Sequence, residues 1–311
     1  MEIFRYNPDW KEEWDRFNHE AINGTLLFNR GFMDYHADRF PDHSLVVMDE
    51  GKWLAIIPGT SAGKHWVSHS GLSYGGLVYQ EQASQRKVCE FLRLAVGYLT
   101  DDGICKILIK TVPDIYWKSP HKAQDYALFQ AGFELVRRDA ATTITLAKRG
   151  KISKGRKASI ARAKREGVTV EASTNFAEFI DLENANLMEK YGTVAVHSAS
   201  ELELLHSRFP ESIRLFVARK NGSMIAGGLV FQSCHVCHLQ YFGTNPIGDE
   251  FGGGDLVIET MISDCQVRDI RVFDFGISTE DQGKTINDGL MRYKESFGGT
   301  TTIANFYQLE R

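Results

Sequence analysis

The chain has 311 residues, 43% apolar and 24% charged, with a net charge of −4. At roughly 100–200 residues per domain this length fits two domains, each able to bury a core without covalent staples. The acidic balance excludes a surface that is one nucleic-acid footprint, and the five scattered cysteines exclude a disulfide framework, so free thiols in a reducing compartment are expected. Residues 1–8 lack a basic start followed by an apolar core, and no apolar run reaches the ~18–20 residues that span a bilayer. The expected location is the cytoplasm, with no transmembrane segment.

Taken in chain order, Leu45–Met48 and Trp53–Ile57 flank a Glu50-Gly51 turn and read as a β-hairpin. An amphipathic helix is expected over 82–99, a strand over 105–109, and a Thr-rich strand from Phe133 to Leu146. A second hairpin follows, Leu215–Ala218 and Met224–Ala226, around Asn221-Gly222, where Asn-Gly supplies the positive φ of a tight turn. Then come a strand over 229–242, a helix over 254–266, a strand over 270–273, and a final Thr-rich strand over 300–309. Asn221 follows Glu50 by 171 residues and Gly299 follows Phe133 by 166. Two copies of one α/β unit account for this recurrence. Each copy is expected to hold a mixed sheet covered by helices.

Between the copies, residues 148–165 carry nine Lys or Arg and no acid. Arg156–Glu166 reads as a helix stopped by Gly167. The segment is read as an inter-domain connector, either a solvated basic face or a dock for substrate phosphates or RNA.

Four motif-like strings carry less than they suggest. Cys234-His235-Val236-Cys237-His238 has the spacing of a haem-attachment site, but on a single strand positions 234 and 237 face opposite ways, so no metal or haem is expected. Gly59–His65 is one residue short of a phosphate loop and reads as a polar turn. Asp274-Phe275-Gly276 lacks the companions of a kinase metal triplet and reads as a strand end. Tyr74-Gly75-Gly76 reads as a glycine-rich loop.

Two stretches offer chemistry. Gly248–Asp255 follows a strand and opens a helix. Its Gly252, Gly253 and Gly254, with Asn245 ahead of them, present backbone N–H groups to an anion, or form a turn with Asp255 as N-cap. Tyr191–His197 closes a helix with a glycine cap and leaves His197 as a base or a structural histidine.

Three blocks resemble the FemAB-like family, the peptidoglycan interpeptide-bridge aminoacyltransferases and the wider GNAT acyltransferases. They are the basic helix Lys154–Val168, the strand end Phe273-Asp274-Phe275-Gly276-Ile277, and the run Gly289-Leu290 … Tyr293-Lys294 … Phe297-Gly298. The resemblance implies two tandem GNAT-like domains, 1–150 and 168–311, joined by a basic connector over 151–167. It implies an N-acyltransferase acting on an amine of a cell-wall, peptidoglycan or glycan precursor, with a small-molecule or lipid-linked acceptor. The implied co-substrate is acyl-CoA or aminoacyl-tRNA, with tRNA a possible partner and no permanently bound cofactor.

By position the resemblance assigns Lys294 to the reaction centre, where a lysine stabilises an oxyanion or holds a donor phosphate. Tyr241 matches an aromatic facing the donor. His197 joins them as a candidate base, with Arg156 and Lys157 as donor-binding cations. Tyr293 stands where the family has Phe, and 150–200 has no room for the helical arm of the tRNA-dependent enzymes, which favours a thioester donor. The other reading open to the sequence is a non-catalytic protein of this fold that binds nucleotide or RNA through 148–165.

Overall fold

Turn chemistry sets the first pairs of strands. In the computed structural model, which describes all 311 residues except the side chain of Tyr191, Glu50 and Gly51 have positive φ and close the hairpin of β2 (Leu45–Asp49) and β3 (Lys52–Ile57). β1 (Glu2–Arg5) pairs with β2, and helices α1 (Lys11–Glu20) and α2 (Arg30–Met33) lie between them in sequence. β4 (Thr60–Ala62) and β5 (His65–Val67) form a hairpin over the stretch read as a polar turn, and β6 (Val78–Tyr79) pairs with β3. α3 (Gln85–Asp101) is capped by Ser84, whose side chain accepts from Lys87 N–H. β7 (Lys106–Lys110), α4 (Ala123–Gln130) and β8 (Glu134–Thr145) follow.

Next come α5 (Lys154–Arg165), β9 (Thr169–Ser173), α6 (Phe176–Tyr191), α7 (Ala199–Arg208), β10 (Ile213–Lys220), β11 (Ser223–Ser233), β12 (Val236–Thr244), α8 (Pro246–Phe251), α9 (Gly253–Val267) and β13 (Val272–Ile277). A short ribbon of β14 (Thr279–Glu280) and β15 (Thr285–Ile286), then α10 (Asp288–Glu295) and β16 (Thr300–Glu310), complete the chain.

Two units result. The first comprises residues 1–140, 279–286 and 302–311, and the second 141–278 and 287–301. Within the first, β1-β2-β3-β6 form one sheet, while β5 runs parallel to β7 and β16 antiparallel to it. Within the second, the strand order is β8-β13-β12-β11-β10-β9, antiparallel except for β12 with β13. The mixed α/β layout expected from the sequence is present.

The division differs from boundaries at 150 and 168. α5 is part of the second unit's core, because Ile160 and Ala163 form an apolar stripe packed with Leu256, Val257, Phe273 and Phe297. Burying an isoleucine this way contributes about 1.5–3 kcal/mol, so the segment is anchored and not a free connector.

One expected strand is two. The run 229–242 breaks at Cys234 and His235, where Cys234 takes a φ of 48° and turns the chain from β11 into β12. Cys234 is exposed on the turn and Cys237 is buried. The two sulfurs are therefore separated by a hairpin turn rather than by the two faces of one strand.

Candidate functional site

The parallel pair β12 and β13 is short. Pairing runs only from Val236 opposite Val272 to His238 opposite Asp274. β12 continues to Thr244 and β13 to Ile277, so the strands part beyond His238. The β12 backbone from Leu239 onward thus has no ladder on that side, while its other edge stays paired with β11. A bulge between Leu229 and Val230 of β11 sets Gln240 outside the register of β12 and bends the strand where it leaves its neighbour.

A cavity of about 400 Å³ adjoins the far end of β12. Phe242 and Thr244 line it from the strand, Asn186, Leu187 and Lys190 from α6, and Gly252, Gly254 and Asp255 from the start of α9. α6 and α9 lie on opposite faces of the sheet: a Cβ on Gly227 would meet Phe179 of α6, and one on the adjacent Gly228 would meet Met261 of α9. The cavity therefore reaches both faces past the open edge of β12.

The start of α9 is uncapped by any side chain. Gly252, with φ 75°, ends α8 and begins α9 at once. That left-handed turn suits glycine, and the first-turn N–H groups of α9, with the helix dipole, favour an anion beside the cavity that Gly252 and Gly254 line. Asp255 is thus inside the first turn and not the N-cap. Both its oxygens accept from Arg156 at 2.7 Å, and Oδ1 also accepts from the Tyr293 hydroxyl at 3.1 Å. The Arg156 guanidinium lies 4.5 Å above the Tyr293 ring. Burial, then the Asp255 carboxylate, pushes the Tyr293 hydroxyl well above its ordinary range, so it remains a donor. Arg162 and Lys190 also line the cavity, and neither is engaged in an ion pair among the described residues.

Lys294 lies at the other side of the parting. It is 6% exposed, and its ammonium donates to the carbonyls of Gly276 and Ile277 at 3.0 and 2.6 Å. Burial lowers its pKa to about 8, against the pull of Asp274. Asp274 accepts from His238 Nδ1 at 2.8 Å and from Gly276 N–H at 2.8 Å. Burial alone would raise the Asp274 pKa, but His238, the Gly276 N–H and Lys294 outweigh it and hold the carboxyl below its usual range.

Residues 147–295 match the model of the acetyltransferase (GNAT) domain. FemX has a similar structure over 100% of this chain and 98% of its own, with a TM-score of 0.73 at 12% identity. L-PGS from Bacillus licheniformis is similar over 98% and 92%, with a TM-score of 0.64 at 13% identity. A tandem GNAT protein from the clavulanic acid biosynthesis pathway is similar over 99% and 98%, with a TM-score of 0.54 at 12% identity. No curated protein matches by sequence. Residues 147–295 therefore carry a GNAT-type acetyltransferase domain, in a chain whose fold is like that of FemX.

Within this GNAT-type domain the residues singled out from the sequence separate into three groups. Arg156, Gly252 and Gly254 line the cavity, whereas Gly253 packs on Ile225. Asn245 caps α8, its side chain accepting from Gly248 N–H at 2.9 Å. Lys157 is exposed and lies outside the cavity lining. Lys294 is also outside that lining, although Leu290 and Tyr293 of the same helix belong to it.

Tyr241 and His197 meet each other and not the cavity. The Tyr241 hydroxyl accepts from the N–H groups of Val196 and His197, at 3.1 and 3.2 Å, and lies 2.7 Å from His197 Nδ1. With its lone pairs so used, the hydroxyl donates to Nδ1, which makes that nitrogen an acceptor. The pair clasps the loop after α6 onto β12. Of the basic run, Arg149 pairs with Glu259 at 2.7 Å and Arg156 with Asp255, so part of its charge is neutralised inside the unit.

Besides Lys190, two residues carry no expectation from the sequence. Glu183 on α6 is 2% exposed, and its Oε2 has no hydrogen-bond partner. Burial pushes its carboxyl up to about 7, against Lys190, the Asn186 side chain and the Phe242 N–H. It fits only because Gly243 faces it: a Cβ there would lie 2.5 Å from Oε2. The second is His238, which was set aside with the Cys-x-x-Cys-His string. The only sequence signal for Glu183 was an acid at i−3, i−4 and i−7 from Asn186, Leu187 and Lys190 on one helical face.

Proposed function

We propose that this enzyme moves an acyl or aminoacyl group from acyl-CoA to a primary amine on a small or lipid-linked cell-envelope or glycan precursor. The observation that carries the reading is the parting of β12 from β13 beside a cavity that holds Arg162, Lys190 and the uncapped start of α9. Unpaired β12 amides and carbonyls suit the amide groups of an extended pantetheine arm. The cations and helix terminus suit its phosphates. The chain between 150 and 200 is filled by α5, β9 and α6, which leaves no long helical arm and favours coenzyme A over tRNA as the donor carrier.

Little covalent help is needed for this chemistry. Orientation of the amine against the donor carbonyl and stabilisation of the tetrahedral oxyanion supply most of the barrier lowering. Lys294 is assigned to the oxyanion: two of its three protons go to Gly276 and Ile277, which fixes the direction of the third.

Thermal-shift titration separates the donors. A ligand at 100 times its Kd stabilises by about 2.7 kcal/mol, and acetyl-CoA or a longer acyl-CoA is expected to produce that shift. A shift with aminoacyl-tRNA and none with any acyl-CoA would reverse the assignment of the donor.

A further inference from the structure

The acyl-transfer reading leaves open which group takes the proton that the amine must lose. We propose that His238 accepts it through Nε2, with Asp274 as its positioning residue. The inference rests on the acyl-transfer reading of this site.

His238 is the last residue of β12 paired with β13, so its side chain projects where the strands begin to part. Its neighbours Cys237 and Leu239 point into the core beside α9, and strand alternation turns His238 to the opposite face. The imidazole is 24% exposed. Its Nδ1 is 2.8 Å from Asp274 Oδ2, and Nε2 makes no hydrogen bond within the chain among the described residues. Asp274 is buried, and its second oxygen is held by Gly276 N–H. An ionised carboxylate against Nδ1 selects the Nδ1–H tautomer and leaves the Nε2 lone pair to accept.

The charged groups around the imidazole favour this division of roles. Asp274 faces it from β13, and Lys294 of α10 stands behind Asp274. From α6, Glu183 lies farther along β12, opposite Gly243. β11 presents Phe231 opposite His238 and no titratable group there.

The step balances. The amine nitrogen bonds to the donor carbonyl carbon and gives its proton to Nε2. The tetrahedral intermediate then collapses, the carbon–sulfur bond breaks, and the leaving thiolate takes the proton from the imidazolium. The products are an amide and free coenzyme A, with His238 restored.

The test uses the full chain, acetyl-CoA as donor and a panel of primary amines including glucosamine and lysine, followed by thiol release. His238→Asn keeps a donor for Asp274 and removes Nε2. It is expected to lower kcat/KM by about 10²–10⁴-fold, to abolish the acidic limb of the pH profile, and to change the Kd for acetyl-CoA less than about threefold. ¹⁵N NMR of the imidazole supplies a second readout that needs no acceptor: Nδ1–H in the wild type, with the Nε2–H tautomer gaining population in Asp274→Asn, where the carboxylate that holds Nδ1–H is gone.

An acidic limb that survives His238→Asn, or vanishes only in Glu183→Gln, would overturn the proposal. So would an Nε2–H tautomer in the wild type. If the wild type neither binds nor turns over acetyl-CoA while the NMR result holds, it is the donor assignment that fails, and the outcomes are thereby distinguished.

Discussion

Lys294 donates to the carbonyl oxygen of Ile277, the last residue of β13, at 2.6 Å. One buried cation thereby holds the strand end that departs from β12. Lys294→Met keeps the apolar stem but orphans two carbonyls, at about 1–3 kcal/mol for the loss of such partners. Chemical denaturation is expected to show that loss, and steady-state kinetics a fall in kcat of about 10²–10³-fold, typical of a missing oxyanion contact. Normal turnover in a folded variant would remove Lys294 from the chemistry.

Arg156 and Arg162 line the same cavity with different duties. Arg156 is bound to the buried Asp255, so Arg156→Ala strands a carboxylate and is expected to destabilise the fold by about 3 kcal/mol, the low end for breaking a buried pair. Arg162 has no such partner. Arg162→Ala is expected to leave the melting temperature unchanged and raise the Kd for acetyl-CoA about tenfold, in line with a charge-assisted contact to phosphate. Calorimetric titration and melting curves of both variants separate the two effects.

The Tyr241 hydroxyl collects two backbone N–H groups and approaches His197 Nδ1 at 2.7 Å. Tyr241→Phe retains the ring and releases the loop. Amide exchange at Val196 and His197 is expected to quicken, with a stability loss of about 1–2 kcal/mol. Unchanged exchange at those two amides would show that other contacts hold the loop.

Glu183 gives a pH-dependent prediction. Its folded pKa of about 7 lies above the ordinary 4.5, so the folded chain binds more protons than the unfolded chain between those values. Stability therefore falls as pH rises from about 4.5 through 7. Glu183→Gln removes this penalty and is expected to melt higher than the wild type at pH 8, with the gap closing toward pH 5. A constant gap across that range would place the effect elsewhere.

Local chemistry made most of the fold legible. Glycine turns, cap residues and period-two runs marked both hairpins, α3, α9 and β13 within a few residues, since each depends on neighbours in sequence. The turn at Cys234 was hidden because a non-glycine residue adopts positive φ there, between two apolar runs that read as one. The basic run read as a connector because charge outnumbers the two residues, Ile160 and Ala163, that bury it.

The site was less legible for a related reason. Lys294 was named through a motif, but Asp274, whose charge acts on it, meets His238 only when β12 and β13 pair. Tyr241 and His197 were both named, yet their mutual hydrogen bond spans 44 residues. Glu183 becomes distinctive only through burial, which depends on a glycine 60 residues away.

The central claim is that the acyl donor lies along the unpaired edge of β12. Backbone amide NMR during titration with coenzyme A tests it most directly. The account predicts shifts concentrated in Leu239–Thr244 and at Gly253, Gly254 and Asp255. Saturable binding that leaves these amides unmoved and shifts a different surface would contradict it.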